Sequence, residues 1–197
     1  MKIFKLFSLT LLVFLLTQCY PDGFSYVEET DIVISNYDPE YNFAAKMTYA
    51  MPAKIVIIDD DLIGGGQPHY VDPVVAGPIL SQIQKDMTSY GWTRVEADKN
   101  PDVLLWPSSL ESTLVVYDYW GYWGYWYGGY YPTVSTYQIG SLMVTMVDPN
   151  DKNADGKPRI AWGFVANGLL EGSTASITSR YTNGVDQGFK QSSYIKK

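Results

Sequence analysis

Between Leu142 and Val147 the chain reads Leu-Met-Val-Thr-Met-Val, and this stretch limits the fold more than any other. A pleated strand turns successive side chains to opposite faces. Leu142, Val144 and Met146 therefore share one face, and Met143, Thr145 and Val147 the other. The strand is predicted to span Thr133 to Asp148. Polar, turn-forming residues follow from Pro149 to Pro158. A second strand is predicted over Ile160–Leu170, with Ile160, Trp162 and Phe164 on one face. Two long strands joined this way make an antiparallel hairpin, which needs further strands or helices to bury its apolar face.

Two helical stripes are available for that cover. Val75, Ile79, Ile83, Met87 and Tyr90 recur at steps of three and four, the spacing of one face of an amphipathic helix. Pro78 sets the expected start of its regular part near Ala76 or Gly77. Gly91 suits a left-handed end. Ile177, Tyr181, Val185 and Phe189 repeat at steps of four and describe a last helix, weakened by Gly184 and Gly188. Asn183-Gly184 is an alternative break point within it.

Shorter extended segments fill the rest. Asp31–Tyr37 closes at Asp38-Pro39, and Phe43–Ala50 and Lys54–Ile58 flank Pro52. A loop is predicted from Asp59 through Gly64-Gly65-Gly66 to about Pro73. Strands are expected at Thr93–Glu96 and Asp102–Trp106, with Leu110–Tyr119 continuing in β-branched and aromatic residues. No parallel βαβ repeat is visible in this order. The fold class expected is α+β: a single-domain sandwich of a mostly antiparallel sheet covered on one face by two helices.

The N-terminus carries an address. Lys2 and Lys5 precede Leu6–Leu16, an apolar run broken only by Ser8 and Thr10. Eleven helical residues rise about 16 Å, roughly half a bilayer core, which suits a signal-peptide core and not a membrane span. The run ends at Leu16-Thr17-Gln18-Cys19, which resembles the lipobox of bacterial lipoproteins, with Gln18 where Gly, Ala or Ser is usual. Cys19 is the sole cysteine, so no internal disulfide framework exists. Either it is incidental or it takes a diacylglycerol, a lipid anchor that is close to permanent. The expected organisation is a signal peptide over residues 1–18, a tether over 19–29 and one domain over 30–197. Loss of Lys2 and Lys5 takes Lys+Arg from 14 to 12 against 21 Asp+Glu, and the net charge from −7 to −9. Such a chain does not suit phosphate-backbone binding, so no nucleic-acid partner is expected.

Trp120–Tyr131 reads WGYWGYWYGGYY. Gly-Tyr-Trp occurs twice in succession, and a period of three fits neither a strand nor a helix. Trp120, Tyr122, Trp123, Tyr125, Trp126, Tyr127, Tyr130 and Tyr131 are the candidate contact residues of a loop. Three roles are open: rings folded back as a cap on the sheet, an apolar contact surface for a partner or a membrane interface, or a stacking platform for sugar rings.

Other constellations carry less. Asp151, Asn153 and Asp155 with Gly156 match the first half of a calcium loop, but its twelfth position is Trp162 instead of Glu, and a plain polar turn explains the same residues. Asp59, Asp60 and Asp61 read as a solvated loop. His69 is the only histidine, so no His/Cys zinc site is available. With no nucleophile-elbow motif, a Ser-His-Asp triad has no support. Glu111 adds one more carboxylate. No catalytic residue and no cofactor is assigned.

Tyr37-Asp38-Pro39 through Thr48-Tyr49-Ala50 resembles the opening of the domain-of-unknown-function family 4136. So do Leu80–Leu105, with Tyr90-Gly91-Trp92 and Asn100-Pro101-Asp102, and the late pair Ile139–Val144 with Asp148 and Ile160–Gly163. The closing helix through Phe189 fits as well, and the likeness covers roughly Asp31 to Ile195. It implies a bacterial envelope lipoprotein with a compact α/β sandwich and no catalytic residues to transfer. The resulting expectation is a lipid-anchored, non-catalytic binding or structural module, placed at the outer membrane because Tyr20 and not Asp follows Cys19. Its partner would be an envelope protein or glycan. The alternative is a hydrolase or glycan-binding protein acting on envelope polysaccharide or peptidoglycan, with Asp59–Asp61, His69 and Glu111 as its only nameable titratable groups.

Overall fold

The computed structural model describes residues 31–111, 140–152, 156–167 and 173–197. Among them, eight strands make one sheet. They are β1 (Ile32–Tyr37), β2 (Thr48–Ala50), β3 (Val56–Ile58), β4 (His69–Tyr70), β5 (Thr93–Arg94), β6 (Val103–Leu110), β7 (Ser141–Lys152) and β8 (Pro158–Asn167). Three α-helices accompany them: α1 (Asp60–Ile63), α2 (Pro73–Ser89) and α3 (Thr174–Lys190). The main path runs β1-β8-β7-β6-β2-β5, with β3 also on β6 and β4 on β3. The architecture is α+β, as the alternating strands and the two helical stripes imply.

β1, β8, β7 and β6 are antiparallel, led by the predicted hairpin. β2 and β3, however, both run parallel to β6, and β2 runs parallel to β5. Helix α2 lies between them in sequence, so a parallel crossover exists where none was expected. The strands concerned have two or three residues apart from β6, too few to display a period. The expected strand over Phe43–Ala50 is a 3₁₀ turn at Phe43–Ala45 followed by β2. The predicted loop from Asp59 contains α1, capped by the Asp59 carboxylate on the Leu62 N–H, and β4.

β7 runs past the predicted end at Asp148 to Lys152, and β8 starts at Pro158. Two irregularities bend this pair. Between Met146 and Val147 the partner skips from Trp162 to Ile160, leaving Ala161 as an extra residue. Such a bulge reverses the facing of what precedes it. Ile160 therefore packs with Val147 on one side of the sheet, while Trp162 and Phe164 lie in the core on the other. The shared face predicted for all three fails at this bulge.

Helix α2 starts at Pro73, with the Asp72 carboxylate accepting the Val74 N–H, and it continues through Pro78. Pro78 lies on the exposed side, as does Gly77 before it. The missing hydrogen bond falls towards water, and Gly77 has no Cβ to meet the proline ring. Gly91, at φ +85°, ends the helix as expected. Helix α3 is unbroken at Asn183-Gly184. Its glycines are spacers: a Cβ at Gly184 would lie 2.9 Å from the Ala166 Cβ, and one at Gly188 would lie 2.6 Å from the Phe164 ring. Only a bare backbone brings this helix onto β8.

The core lies between this sheet face and the helices. Ile79, Ile83 and Met87 of α2 and Tyr181, Val185 and Phe189 of α3 meet Val103, Leu105, Leu142, Val144, Met146, Trp162 and Phe164. A smaller cluster on the opposite face joins Val56, Ile58, Leu62, Leu110 and Val147.

Candidate functional site

The motif residues behind the family likeness are spent on the scaffold. Asp38 accepts from Arg159 Nε at 2.6 Å and so fastens the end of β1 to β8. Asp102 accepts from the Met47 and Thr48 amides and the Thr48 hydroxyl, each at 2.8 Å. Asn100 takes the left-handed conformation, φ 55°, that this turn requires. Trp92 Nε1 donates to the Ile195 carbonyl and Trp162 Nε1 to Ser192 Oγ, both at 2.8 Å.

Asp148 is fully buried. It lies 2.6 Å from Lys46 Nζ and accepts from the Tyr41 hydroxyl at 2.8 Å, while the Asn150 and Asp151 amides donate to its other oxygen. Burial pushes its pKa up, but these donors outweigh burial and hold it below the usual carboxylate range. The Tyr41 phenol is pushed well above its ordinary value by burial and by Asp148 beside it. This cluster ties Tyr41 and Lys46 to the β7 residue Asp148.

The open concavity lies elsewhere, at a break in the sheet. β2 and β3 both pair with β6, one with its first half and one with its second, and residues 51–55 leave the sheet between them. Glu111 N–H donates to Ile58 and Gly140 N–H to Leu110. Odd-numbered peptides of β6 therefore face β2 and β3, and even-numbered ones face β7. Pro107 is odd, so its missing N–H falls at the break. Pro52, in the departing segment, lacks one too. Two prolines remove donors from the place where the edge parts.

The break opens into a cleft of about 470 Å³. Leu104, Trp106 and Val56 form its floor, and Met51, Pro52 and Tyr70 form its walls. Charged groups stand at the rim: Lys54, Arg94 and Glu96. Lys54 Nζ sits 4.6 Å from the centre of the Tyr70 ring, a cation–π contact. Arg94 is braced by the Gln84 side chain at 2.7 Å and the Met51 carbonyl at 3.1 Å. Cavities of this size with few polar groups suit small ligands.

The outer edge of β1 is less open than its exposed Ile32 and Ile34 suggest. Asp38 N–H bonds to Ala161, so odd-numbered peptides of β1 face outward. Of these, the Val33 carbonyl accepts from Gln191 Nε2 at 3.2 Å, and the Tyr37 N–H donates to Asn36 Oδ1 at 2.9 Å. Side chains thus blunt the edge.

Of the residues singled out in the sequence, Cys19 and all eight aromatics of Trp120–Tyr131 lie outside the described residues, as do Asn153 and Asp155. Asp151 is described, and its carboxylate faces Arg159 at 3.4 Å. Asp59 and His69 come together, with Oδ2 to Nδ1 at 2.9 Å. The Leu62 amide is the main cause that lowers the Asp59 pKa, ahead of His69. Glu111 follows β6, beside the end of β3. Among the described residues, no three His, Cys, Asp or Glu side chains gather in a way that would hold a metal ion. No helix among them is long and apolar enough to cross a membrane. The cleft itself was not read from the sequence, where Pro52 only separated two extended segments and Pro107 drew no notice.

The model of the family described as a domain of unknown function, DUF4136, matches residues 33–192. No curated protein matches. A DUF4136 family protein from Bacteroides thetaiotaomicron VPI-5482 has a solved structure 24% identical to this chain, with TM-score 0.66, covering 84% of this chain and 97% of that one. A PDZ domain protein from Parabacteroides distasonis ATCC 8503 is 14% identical, with TM-score 0.43, over 82% of this chain and 36% of its own. A PelC dodecamer from Paraburkholderia phytofirmans is 12% identical, with TM-score 0.36, over 78% of this chain and 93% of its own. The first of these shares the fold.

Proposed function

The chain belongs to the DUF4136 family, and from that premise we propose that it is a lipid-anchored, non-catalytic binding module of the bacterial cell envelope. The observation that carries the binding role is the cleft at the sheet break, concave, apolar on its floor and charged only at its rim. The anchor rests on Leu6–Leu16 and the sole cysteine at position 19. Two or more acyl chains on one terminus hold a domain at a bilayer without help from its acidic surface. Tyr20 after the cysteine favours the outer membrane. Trp120–Tyr131 would supply a second contact, since Trp and Tyr rings favour interfaces that are dry at one end and wet at the other.

A non-catalytic reading is supported by where the ionisable groups stand. Asp148, Asp38 and Arg159 are tied to one another or to the backbone inside the scaffold. The Asp59 carboxylate caps α1 with one oxygen and meets His69 with the other. The test is fractionation with mass spectrometry of the mature N-terminus. The native protein is expected in the membrane fraction, beginning at acylated Cys19, and Cys19→Ala in the soluble fraction. An unacylated native chain beginning at Met1 rejects the anchor. Crosslinking in intact envelopes tests the contact role: Trp120→Ala, Trp123→Ala and Trp126→Ala together should lose partners, and an unchanged pattern removes the loop from the proposal.

A further inference from the structure

The cleft has a chemistry that selects among ligands, and that selection rests on the binding role just proposed. Its floor of Leu104, Val56 and the Trp106 ring offers carbon to whatever enters. Pro52 and Pro107 both line the cleft, and neither offers it an N–H. A peptide carbonyl or a sugar oxygen laid there would find these two donors missing, and an unpaired buried acceptor is costly. A hydrocarbon chain needs no partner. At the rim, Lys54 and Arg94 give two cations against the single carboxylate of Glu96. Lys54 is held over Tyr70 and Arg94 is braced by Gln84 and Met51, so neither must be ordered when an anion arrives. Arg94 spends two of its five donors in those bonds.

We propose that the cleft binds a single-chain amphiphile with an anionic head, a free fatty acid of medium length. Its tail lies on Val56, Leu104 and Trp106, and its carboxylate is met by the rim cations Lys54 and Arg94. The ligand binds without covalent change.

The experiment is calorimetric titration of the folded, unacylated domain with laurate below its micelle concentration. Dodecyltrimethylammonium, a short proline-rich peptide and a muropeptide serve as comparison probes. Laurate is expected to saturate one site. The cationic analogue should bind at least tenfold more weakly, because the tail is the same and only the head differs. Ala53→Phe, at an exposed position on the mouth, should abolish laurate binding, and Lys54→Glu should weaken it by tenfold or more, both with unchanged Tm. Equal binding of both heads, or laurate binding indifferent to Ala53→Phe, overturns the proposal as surface adsorption. If the peptide or the muropeptide saturates the site and laurate does not, the ligand class is wrong but the binding role survives. If no probe binds and Ala53→Phe leaves envelope crosslinks unchanged, both readings fail.

Discussion

Strand β6 belongs to two regions built on opposite principles. Through Val103 and Leu105 it is part of the helix-covered core, where spacing is set to a fraction of an ångström. Through Leu104, Trp106 and Pro107 it floors the cleft, where the sheet is allowed to come apart. In the core, the polar groups that lock the fold are partnered: Trp162 has Ser192, Trp92 has Ile195 and Asp148 has four donors, while the buried hydroxyls of Tyr49 and Ser108 go without one among the described residues. At the break, backbone donors are deleted by proline and polar side chains are kept to the rim. The core spends its buried polar residues on locking itself, and the break leaves an apolar concavity. Substitutions in the two regions should therefore differ in what they change, stability in one and binding in the other.

The largest effect is expected at Asp148→Ala. Removing one partner of a buried charge pair leaves the other uncompensated, at a cost of about 3–5 kcal/mol. Lys46, half-buried beside it, would be that orphan. Chemical denaturation at pH 7 measures it, and a loss below about 1 kcal/mol would mean the lock is ornamental. The pH dependence has a definite sign. The folded pKa of Asp148 is depressed, so its stabilisation is present above the ordinary carboxylate range and fades as pH falls through the lower folded value. The wild type should lose stability in acid more steeply than the variant.

Next is Gly188→Ala. In open helix this change would stabilise by about 1 kcal/mol. Here the added carbon meets the Phe164 ring at 2.6 Å, and overpacking costs about 1–3 kcal/mol. A net loss of up to about 2 kcal/mol is expected, read as a lower Tm. A gain would show that α3 has room to lift from β8.

This pair of sites also marks what the sequence could disclose. The stripe Ile177–Phe189 gave the helix and its buried face, because a four-residue step survives any tertiary setting. The same sequence made Gly184 and Gly188 look like weaknesses, since their purpose is the distance to Ala166 and Phe164, which lie in another element. The hairpin of β7 and β8 was legible from period two, and the bulge at Ala161 was not, because a bulge is a property of the pairing. β2, β3 and β5 are too short to carry a period, so the parallel crossover stayed hidden. The cleft exists only because two short strands share one long neighbour, a relation no local pattern records. Nothing in the sequence alone brings Pro52 and Pro107 to one cleft.

A smaller effect of opposite sign is expected at Asp86→Asn. Asp86 is buried on α2, both its oxygens accept from Gln82 Nε2 at 3.0 Å, and burial raises its pKa. A raised folded pKa means stability is fullest below the ordinary carboxylate value and is lost as pH rises through the folded one. The amide keeps the shape and removes the buried charge, so the variant should gain about 1 kcal/mol at pH 7. The gain should vanish in acid, where the wild-type carboxyl is protonated. A loss at pH 7 would mean that the nearby Lys85 and Lys190 support the charge more than burial opposes it.

The smallest effect, and the one that separates the two regions most cleanly, belongs to Lys54→Ala. Lys54 is exposed, and among the described residues it lies against the face of Tyr70. An exposed cation–π pair is worth about 0.5–1 kcal/mol at most, and side-chain entropy regained on truncation offsets part of it. Stability should therefore move by less than about 0.5 kcal/mol, within the range of ordinary surface changes. If the rim exists to meet a ligand, the same substitution should weaken binding of an anionic amphiphile while Tm stays put. A fall in Tm comparable to that of Gly188→Ala would make Lys54 part of the scaffold, and the contrast between a self-locked core and an accommodating break would no longer hold.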